Sequence, residues 1–439
     1  MRISAALLLF CVSAFAAEPD WPAVETHALD LLKRYVQIQS INPPADTRPT
    51  AALIKAELEG AGLTPVLYTS GPEGQTNLVV RLKGADSSKK PLLLMNHMDV
   101  VPVDRGAWSM DPFGAVIKDG WIWGRGTLDM KSVGIQQLTA LILMKRTGTI
   151  PPRDIVMLSS ADEETNGERG IQWMLKNHLA DIDPEYVLDE GGSASRDLYA
   201  PGKLVFGISV GEKQMMWLRL RAKGTAGHGS QPIADNANVI LLNAIQKALQ
   251  VPPATKQNPV VEELTKTLSG AVAQNKFINA IRANTISLTT LTAGVGSPVK
   301  VNVIPSSAEA TLDCRLLPGV NADEFLSDMK ARINDPRVTV ERVTVPVDAG
   351  TSTTDTPLYR TLRAAFLKAH PDALVTPILV PYGTDSVNLR KRGIPAYGFE
   401  AMILDAATVA TMHSDQERIP VQEFLTGIHI YFDVLRGAY

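Results

Sequence analysis

From residue 21 to about residue 211 the chain alternates between two hydrophobic periods. "ALDLLKRYVQIQ" (28–39) and "TAALIKAELEGAG" (50–62) place apolar residues every three or four positions, which predicts amphipathic helices; the second stops at glycine. "NLVVRLKG" (77–84) reads as a strand. "PLLLMNH" (91–97) is apolar on both faces, as in a sheet covered by helices on both sides. A helix is expected over "SVGIQQLTALILMKRTG" (132–148), and "DIVMLSSADEE" (154–164) and "YVLDEGG" (186–192) repeat an apolar strand that ends in acidic residues. The fold class is α/β, a mostly parallel sheet with helices on both faces.

Near residue 213 the rhythm changes. "QMMWLRLRAKG" (214–224) alternates like a half-exposed strand and is followed by a helix, "NVILLNAIQKALQ" (238–250). Two strands, "NTISLTTLTAG" (284–294) and "SAEATLDCRLL" (307–317), then a helix (322–335) and a strand (338–347) complete a βαββαβ order, a ferredoxin-like α+β unit. A polar, partly helical insertion at 252–282 interrupts it with no readable role. The α/β rhythm returns at "TPLYRTLRAAFLKAH" (356–370). The expected organisation is a large domain of residues 18–212 and 349–439 carrying an inserted domain of residues 213–348.

The N-terminus, "MRISAALLLFCVSAFAAE", has a basic residue, a short apolar run and small residues at Ala14 and Ala16. That is the layout of a signal peptide, residues 1–17, and predicts an exported protein, periplasmic or secreted, with no stable membrane insertion after cleavage. Beyond it no apolar stretch is long enough to span a bilayer. The 439 residues hold 46 acidic and 43 basic side chains with no polybasic run, which argues against a nucleic-acid partner. Of two cysteines, Cys11 leaves with the signal, and Cys314 is expected to be a small core hydrophobe.

The chemistry lies at the strand ends. In open α/β sheets, ligands bind outside the carboxyl ends of the strands. There the chain carries His97 and Asp99, Asp162 to Glu164, and Asp189 and Glu190; loops add Asp129 in "WGRGTLDMKS" (123–132) and His413 in "ATMHSDQERIP" (410–420). Carboxylates crowded together cannot all ionise at neutral pH without cations. Nitrogen and oxygen donors without thiolate suit zinc, with cobalt or manganese as substitutes. Five such ligands exceed one open catalytic zinc but fit two ions about 3.5 Å apart that share a carboxylate. The two-residue spacing sets His97 and Asp99 on one face of the strand end, where the Asp99 carboxylate is expected to accept the His97 ring proton. Glu163 beside Glu164 suits acid–base work, because like-charge repulsion keeps its proton affinity high.

"HMDVVP", "WGRGTLDMKS", "ADEE", "LDEGG", "GHGS" and "MHSDQE", in that order, resemble the M20 metallopeptidases, and the resemblance covers nearly all of the chain after the signal. It implies two zinc ions, one on His97, Asp129 and Asp189 and the other on Asp129, Glu164 and His413, with Asp129 bridging. It implies Glu163 as general base, Asp99 orienting His97, and a cis peptide between Asp129 and Met130. His228 in "GTAGHGS" would reach the reacting carbonyl across a dimer interface made by the inserted domain, which acts as lid and dimerisation unit. Asn302, Arg315, Gly383 and Thr384 match substrate-holding positions; the Arg315 fork would grip a free carboxylate, and Gly383 and Thr384 would offer backbone and hydroxyl donors. The implied activity is hydrolysis of a peptide or N-acyl amide bond next to a residue with a free carboxylate, on a small peptide or N-acyl amino acid. Two alternatives stay open: an aminopeptidase or dipeptidase on the same core, and a binding protein that has lost the chemistry. His27, His178, His370 and His429 lie on helical stretches or their ends and are expected to be structural or solvated.

Overall fold

The strand Leu92–His97 lies inside an eight-stranded sheet. The structure, a computed structural model, describes residues 18–250 and 258–439; the expected signal at 1–17 lies outside the described residues. Across the sheet the order is Val66–Thr69, Thr76–Leu82, Ile155–Ser160, Leu92–His97, Tyr186–Ser195, Ala396–Ile403, Val205–Glu212, Leu374–Val380. The four inner strands from Ile155–Ser160 to Ala396–Ile403 run parallel to one another, so their carboxyl ends open on one side. Antiparallel pairing is found toward both edges.

The period of two in the inner strands sorts their side chains onto two covered faces. Leu92 and Leu94 join the largest core with residues of the helices Trp21–Gln37, Lys131–Arg146 and Val421–Leu435. Leu93 and Met95 join a second cluster with Ile171 and Met174 of the helix Ile171–Asn177. This is the α/β architecture expected from the doubly apolar strands.

Four strands between Gln214 and Arg342 build a separate antiparallel sheet in the order Thr285–Thr292, Ser307–Leu316, Gln214–Lys223, Val338–Arg342. Its strand Gln214–Lys223 alternates buried and half-buried positions, and the buried set packs on the helices Ala237–Ala248 and Ala322–Ile333. Cys314 is buried there, as a small core residue.

The insertion departs from the expected organisation. Its helices Pro259–Thr267 and Lys276–Arg282 leave the small sheet and bury Val260, Val261, Leu264, Ile278 and Ile281 in the large core. A helix with one apolar face needs a partner face, and here that partner is the large sheet. Residues 258–282 therefore pack with the large domain although they lie between elements of the small one.

Candidate metal centre and active site

Asp129 stands between two histidines. Its Oδ1 lies 2.9 Å from His97 Nε2, and its Oδ2 lies 2.9 Å from His413 Nε2. His97 ends a central strand, Asp129 sits in the loop before the helix Lys131–Arg146, and His413 follows the short helix Ala406–Val409. Three segments far apart in the chain thus meet at the carboxyl edge of the sheet. The peptide Asp129–Met130 is cis, as the resemblance implies. Glu164 Oε2 is 3.3 Å from His413 Nε2, while its buried Oε1 has no partner.

The Asp129 loop is fixed from behind by residues that the sequence did not single out. Glu417 Oε1 accepts the backbone N–H of Leu128 at 2.9 Å and of Asp129 at 3.2 Å. Buried Arg125 donates to the other Glu417 oxygen and, at 3.2 Å, to the His413 backbone carbonyl. One buried ion pair therefore positions both the shared aspartate and the second histidine. Glu417 lies inside the quoted "MHSDQE", but its spacing gave no hint of a partner nearly three hundred residues earlier.

Asp99 behaves differently from expectation. The His97 Nδ1 lies 3.0 Å from the Asp99 backbone carbonyl, and the nearer carboxylate oxygen is 3.7 Å away. The tautomer is fixed by the peptide oxygen, which leaves Nε2 free to face Asp129. The carboxylate accepts instead from the backbone N–H groups of Glu163 and Glu164, at 3.2 and 3.1 Å, and from Asn42 Nδ2 at 2.8 Å.

Glu190, rather than the expected Asp189, is the residue that faces His97. Glu190 Oε2 lies 3.8 Å from His97 Nε2 and converges with Glu163, whereas Asp189 Oδ2 accepts the Ser386 hydroxyl at 2.7 Å. Adjacent strand residues point to opposite faces, so only one of the pair can face His97. Among the described residues the donor atoms that converge are those of His97, Asp129 and Glu164, and of His97, Glu163 and Glu190.

The remaining candidates are spread out. Thr384 is buried and its hydroxyl donates to Glu212 Oε2 at 2.6 Å, so that hydrogen is not free for a substrate; Gly383 beside it is exposed. The Arg315 guanidinium is held by Asp313 through two bonds of 2.8 and 3.1 Å. The two stand on one face of their strand, because they are two residues apart. His228 is exposed on Gly227–His228, pairs in register with Val303 and shares a hydrogen bond with Ser230. The Asn302 carbonyl accepts the Gly229 N–H at 2.7 Å, so His228 and Asn302 are neighbours. Neither makes a hydrogen bond or ion pair to the Asp129 cluster within one chain, among the described residues. Asp385, in the same loop as Thr384, accepts the Ser160 hydroxyl at 3.0 Å.

Crowding and burial set the electrostatics of the cluster. Burial, then the Glu190 charge, raises the Glu163 carboxyl well above its ordinary value, and Glu164 adds to this. Burial, then Asp129, does the same for Glu190. Hydrogen bonds to Asp129 and Glu164 raise His413 to about 10. Asp129 is held well below the carboxylate range: burial would raise it, and the two imidazoles outweigh that. A cluster of carboxylates, two imidazoles that face one of them and one orphaned carboxylate oxygen is a donor set that fits divalent cations.

A central sheet with this cluster at its carboxyl edge defines a metal-dependent hydrolase. The match to a family model fixes which one: the chain belongs to peptidase family M20/M25/M40 over residues 93–437. It is 30% identical to aminoacylase-1 of Sus scrofa, covering 94% of this chain and 95% of that protein. It is 29% identical to the N-fatty-acyl-amino acid synthase/hydrolase PM20D1 of Mus musculus, covering 81% and 76%. The fold matches the crystal structure of the M20 family metallo-carboxypeptidase Sso-CP2 from Sulfolobus solfataricus with a TM-score of 0.71 at 20% identity, covering 93% and 98%. The protein is a hydrolase of amide bonds, of aminoacylase, carboxypeptidase or dipeptidase type.

Proposed function

We propose that the protein is a two-zinc amide hydrolase that splits an N-acyl amino acid or short peptide beside a residue with a free carboxylate. The observation that carries this reading is Asp129, with one oxygen facing each histidine at 2.9 Å. A carboxylate so placed is suited to be shared by two ions. His97 and Glu190 would complete one site, and His413 and Glu164 the other. Glu190 takes the position that the resemblance gave to Asp189, because Glu190 is the one that faces His97. Cobalt or manganese could replace zinc with the same donors.

When bound, the two ions supply an acidic water and polarise the scissile carbonyl. Everything else falls to the chain. Glu163, converging with His97 and Glu190, takes a proton from the water and returns it to the departing nitrogen. Asp99 holds the Glu163–Glu164 turn so that both carboxyls face the site. Arg315 would bind the substrate carboxylate once Asp313 releases its fork. The backbone of Gly383 and Thr384 remains available for the substrate, with the Thr384 hydroxyl occupied by Glu212.

Among the described residues, His228 makes no hydrogen bond or ion pair to the cluster in its own chain, and the strand Thr285–Thr292 stands at the edge of the small sheet with Leu288 and Leu291 exposed. An edge of this kind can pair with a second copy. We propose a homodimer through the small sheet, with His228 serving the partner's site. We also propose export, on the strength of Arg2, the apolar run that follows and Ala14 and Ala16.

The Arg315–Asp313 pair favours a second reading, in which Asp313 anchors a free amine and the protein is an aminopeptidase or dipeptidase. Metal-stripped protein reloaded with zinc, assayed on N-acetyl amino acids and on free dipeptides, separates the two. Cleavage of the N-blocked substrates supports the proposal, and cleavage confined to free amines overturns it.

A further inference from the structure

Three consecutive residues carry the chain from the large sheet into the small one. The strand Val205–Glu212 ends at Glu212, the strand Gln214–Lys223 begins at Gln214, and only Lys213 stands between them. Gln214 Nε2 donates to the Leu317 and Val320 carbonyls at 3.2 and 2.9 Å, just past the small-sheet strand that ends at Leu316. Lys213 Nζ donates to the Ala280 and Ala283 carbonyls and to the Thr285 hydroxyl, at 2.8, 2.7 and 2.9 Å. It ties the first crossing to the point where the insertion returns to the small sheet.

Glu212 reaches into the large domain instead. Its Oε2 accepts the Thr384 hydroxyl at 2.6 Å and lies 3.3 Å from Arg390 Nη1. Arg390 ends the short helix Ser386–Arg390; its Nε donates to Ser352 Oγ at 3.3 Å and its Nη2 to the Ala396 carbonyl at 2.9 Å. Ser352 lies on the segment that returns from the small sheet, and its N–H donates to the Val210 carbonyl at 2.7 Å. The outgoing and returning crossings therefore meet at one buried arginine. Both charged side chains are nearly buried, yet Glu212 Oε1 and Arg390 Nη1 make no hydrogen bond among the described residues. A buried ion pair so placed adds little stability over apolar residues of the same volume. What it fixes is geometry.

We infer that Glu212 is a positioning residue for substrate binding: it clips the Gly383–Thr384 loop to the domain crossing and so sets that loop in register with Arg315 on the small sheet. The inference rests on the amide-hydrolase reading above, in which the loop and Arg315 hold one substrate from two domains. The physical connection is short. Arg315 stands between Met215 and Thr285 in the small sheet. Lys213, next to Glu212, is two residues from Met215 and bonded to Thr285. On the loop side, Asp385 accepts from Ser160 and Ser386 donates to Asp189, so the loop is also anchored to two strands of the large sheet.

The test compares an N-acetyl amino acid with its carboxamide, on zinc-loaded parent, Glu212→Ala, Glu212→Gln and Thr384→Val. Thermal stability and zinc content establish that each variant is folded and loaded. Glu212→Ala should raise KM for the acid by about ten- to a hundredfold, the scale of a hydrogen bond to a charged group, with kcat changed less than about threefold. The preference for acid over carboxamide should fall by about tenfold or more. Glu212→Gln, which keeps an oxygen for Thr384, should lie in between. Thr384→Val breaks the same clip while leaving Glu212 with Arg390; it should match Glu212→Ala and decides the matter if that variant does not fold. Calorimetric binding of acid and carboxamide to the Glu163→Gln protein, with and without Thr384→Val, should show the same loss of preference without turnover. An equal loss for acid and carboxamide, or a fall in kcat with KM unchanged, overturns the inference alone. A parent that hydrolyses no amide, or does not prefer the acid, overturns the reading beneath it and the inference with it.

Discussion

The carboxylate of Asp99 accepts the backbone N–H of Glu163 at 3.2 Å, and its second oxygen takes Glu164 at 3.1 Å. A strand-end aspartate thus fixes the turn that carries both the proposed base and a proposed ligand. Replacing Asp99 by Ala leaves two buried N–H groups unpaired and frees the turn. We expect kcat to fall about 10- to 100-fold, the scale of loss seen when a partner that supports metal-site residues is removed. Steady-state kinetics with zinc in excess check this; unchanged kcat would mean that the turn is held by other contacts.

Glu163→Gln keeps the shape and removes the proton acceptor. Turnover should fall by about 10²- to 10⁴-fold, with the zinc content as in the parent. Elemental analysis of the purified variant beside its kinetics reads both quantities. Loss of metal together with activity would make Glu163 a ligand rather than a base.

Glu190 and Asp189 should separate cleanly. Glu190 faces His97, whereas Asp189 is bonded to Ser386. Glu190→Gln is expected to weaken one metal site by tenfold or more, about the size of a lost ligand contact. Asp189→Asn is expected to keep two zinc ions per chain. Competition titrations with a chelator distinguish the pair, and the reverse pattern would restore Asp189 as the ligand.

Away from the site, Asp154 binds the Gly84 N–H, Ser87, Lys83 and Arg81 with a nearly buried side chain. Burial alone would raise its carboxyl, but these donors outweigh burial and hold it well below the usual range. A folded-state value below the unfolded value of about 3.9 means that the stabilisation is fully present above that pH and is lost as acid titrates the folded carboxylate. Asp154→Ala should therefore cost about 2–3 kcal/mol at pH 7. The gap between variant and parent in urea unfolding should narrow below about pH 4. A gap that is constant with pH would assign the loss to packing.

The sequence made legible what strand ends and order could carry. His97, Asp129, Glu164 and His413 follow apolar runs or open helices, and these runs converge at one sheet edge. The small sheet was legible because its strand Gln214–Lys223 alternates buried and half-buried positions, so the period of two is written in the residues. Tyr186–Ser195 is buried on both faces, which erases that signal; nothing in "LDEGG" says whether Asp189 or Glu190 faces the site. Arg315 and Asp313, two apart on one strand, had the spacing for a pair, but the same spacing is equally compatible with two side chains that each face solvent, so the pairing was not legible. Arg125 and Glu417 meet across nearly the whole chain, a separation at which periodicity carries no information. The insertion at 252–282 read as polar and only partly helical, and a few apolar residues on short helices do not say which of two sheets will cover them.

The central claim is a pair of cations sharing Asp129. Anomalous diffraction at the zinc edge, on crystals of the zinc-loaded protein, tests it directly. The account predicts two peaks about 3.5 Å apart, one on each side of the Asp129 carboxylate, the first touching His97 and Glu190 and the second His413 and Glu164. A single peak, or two of which either fails to touch Asp129, would contradict it.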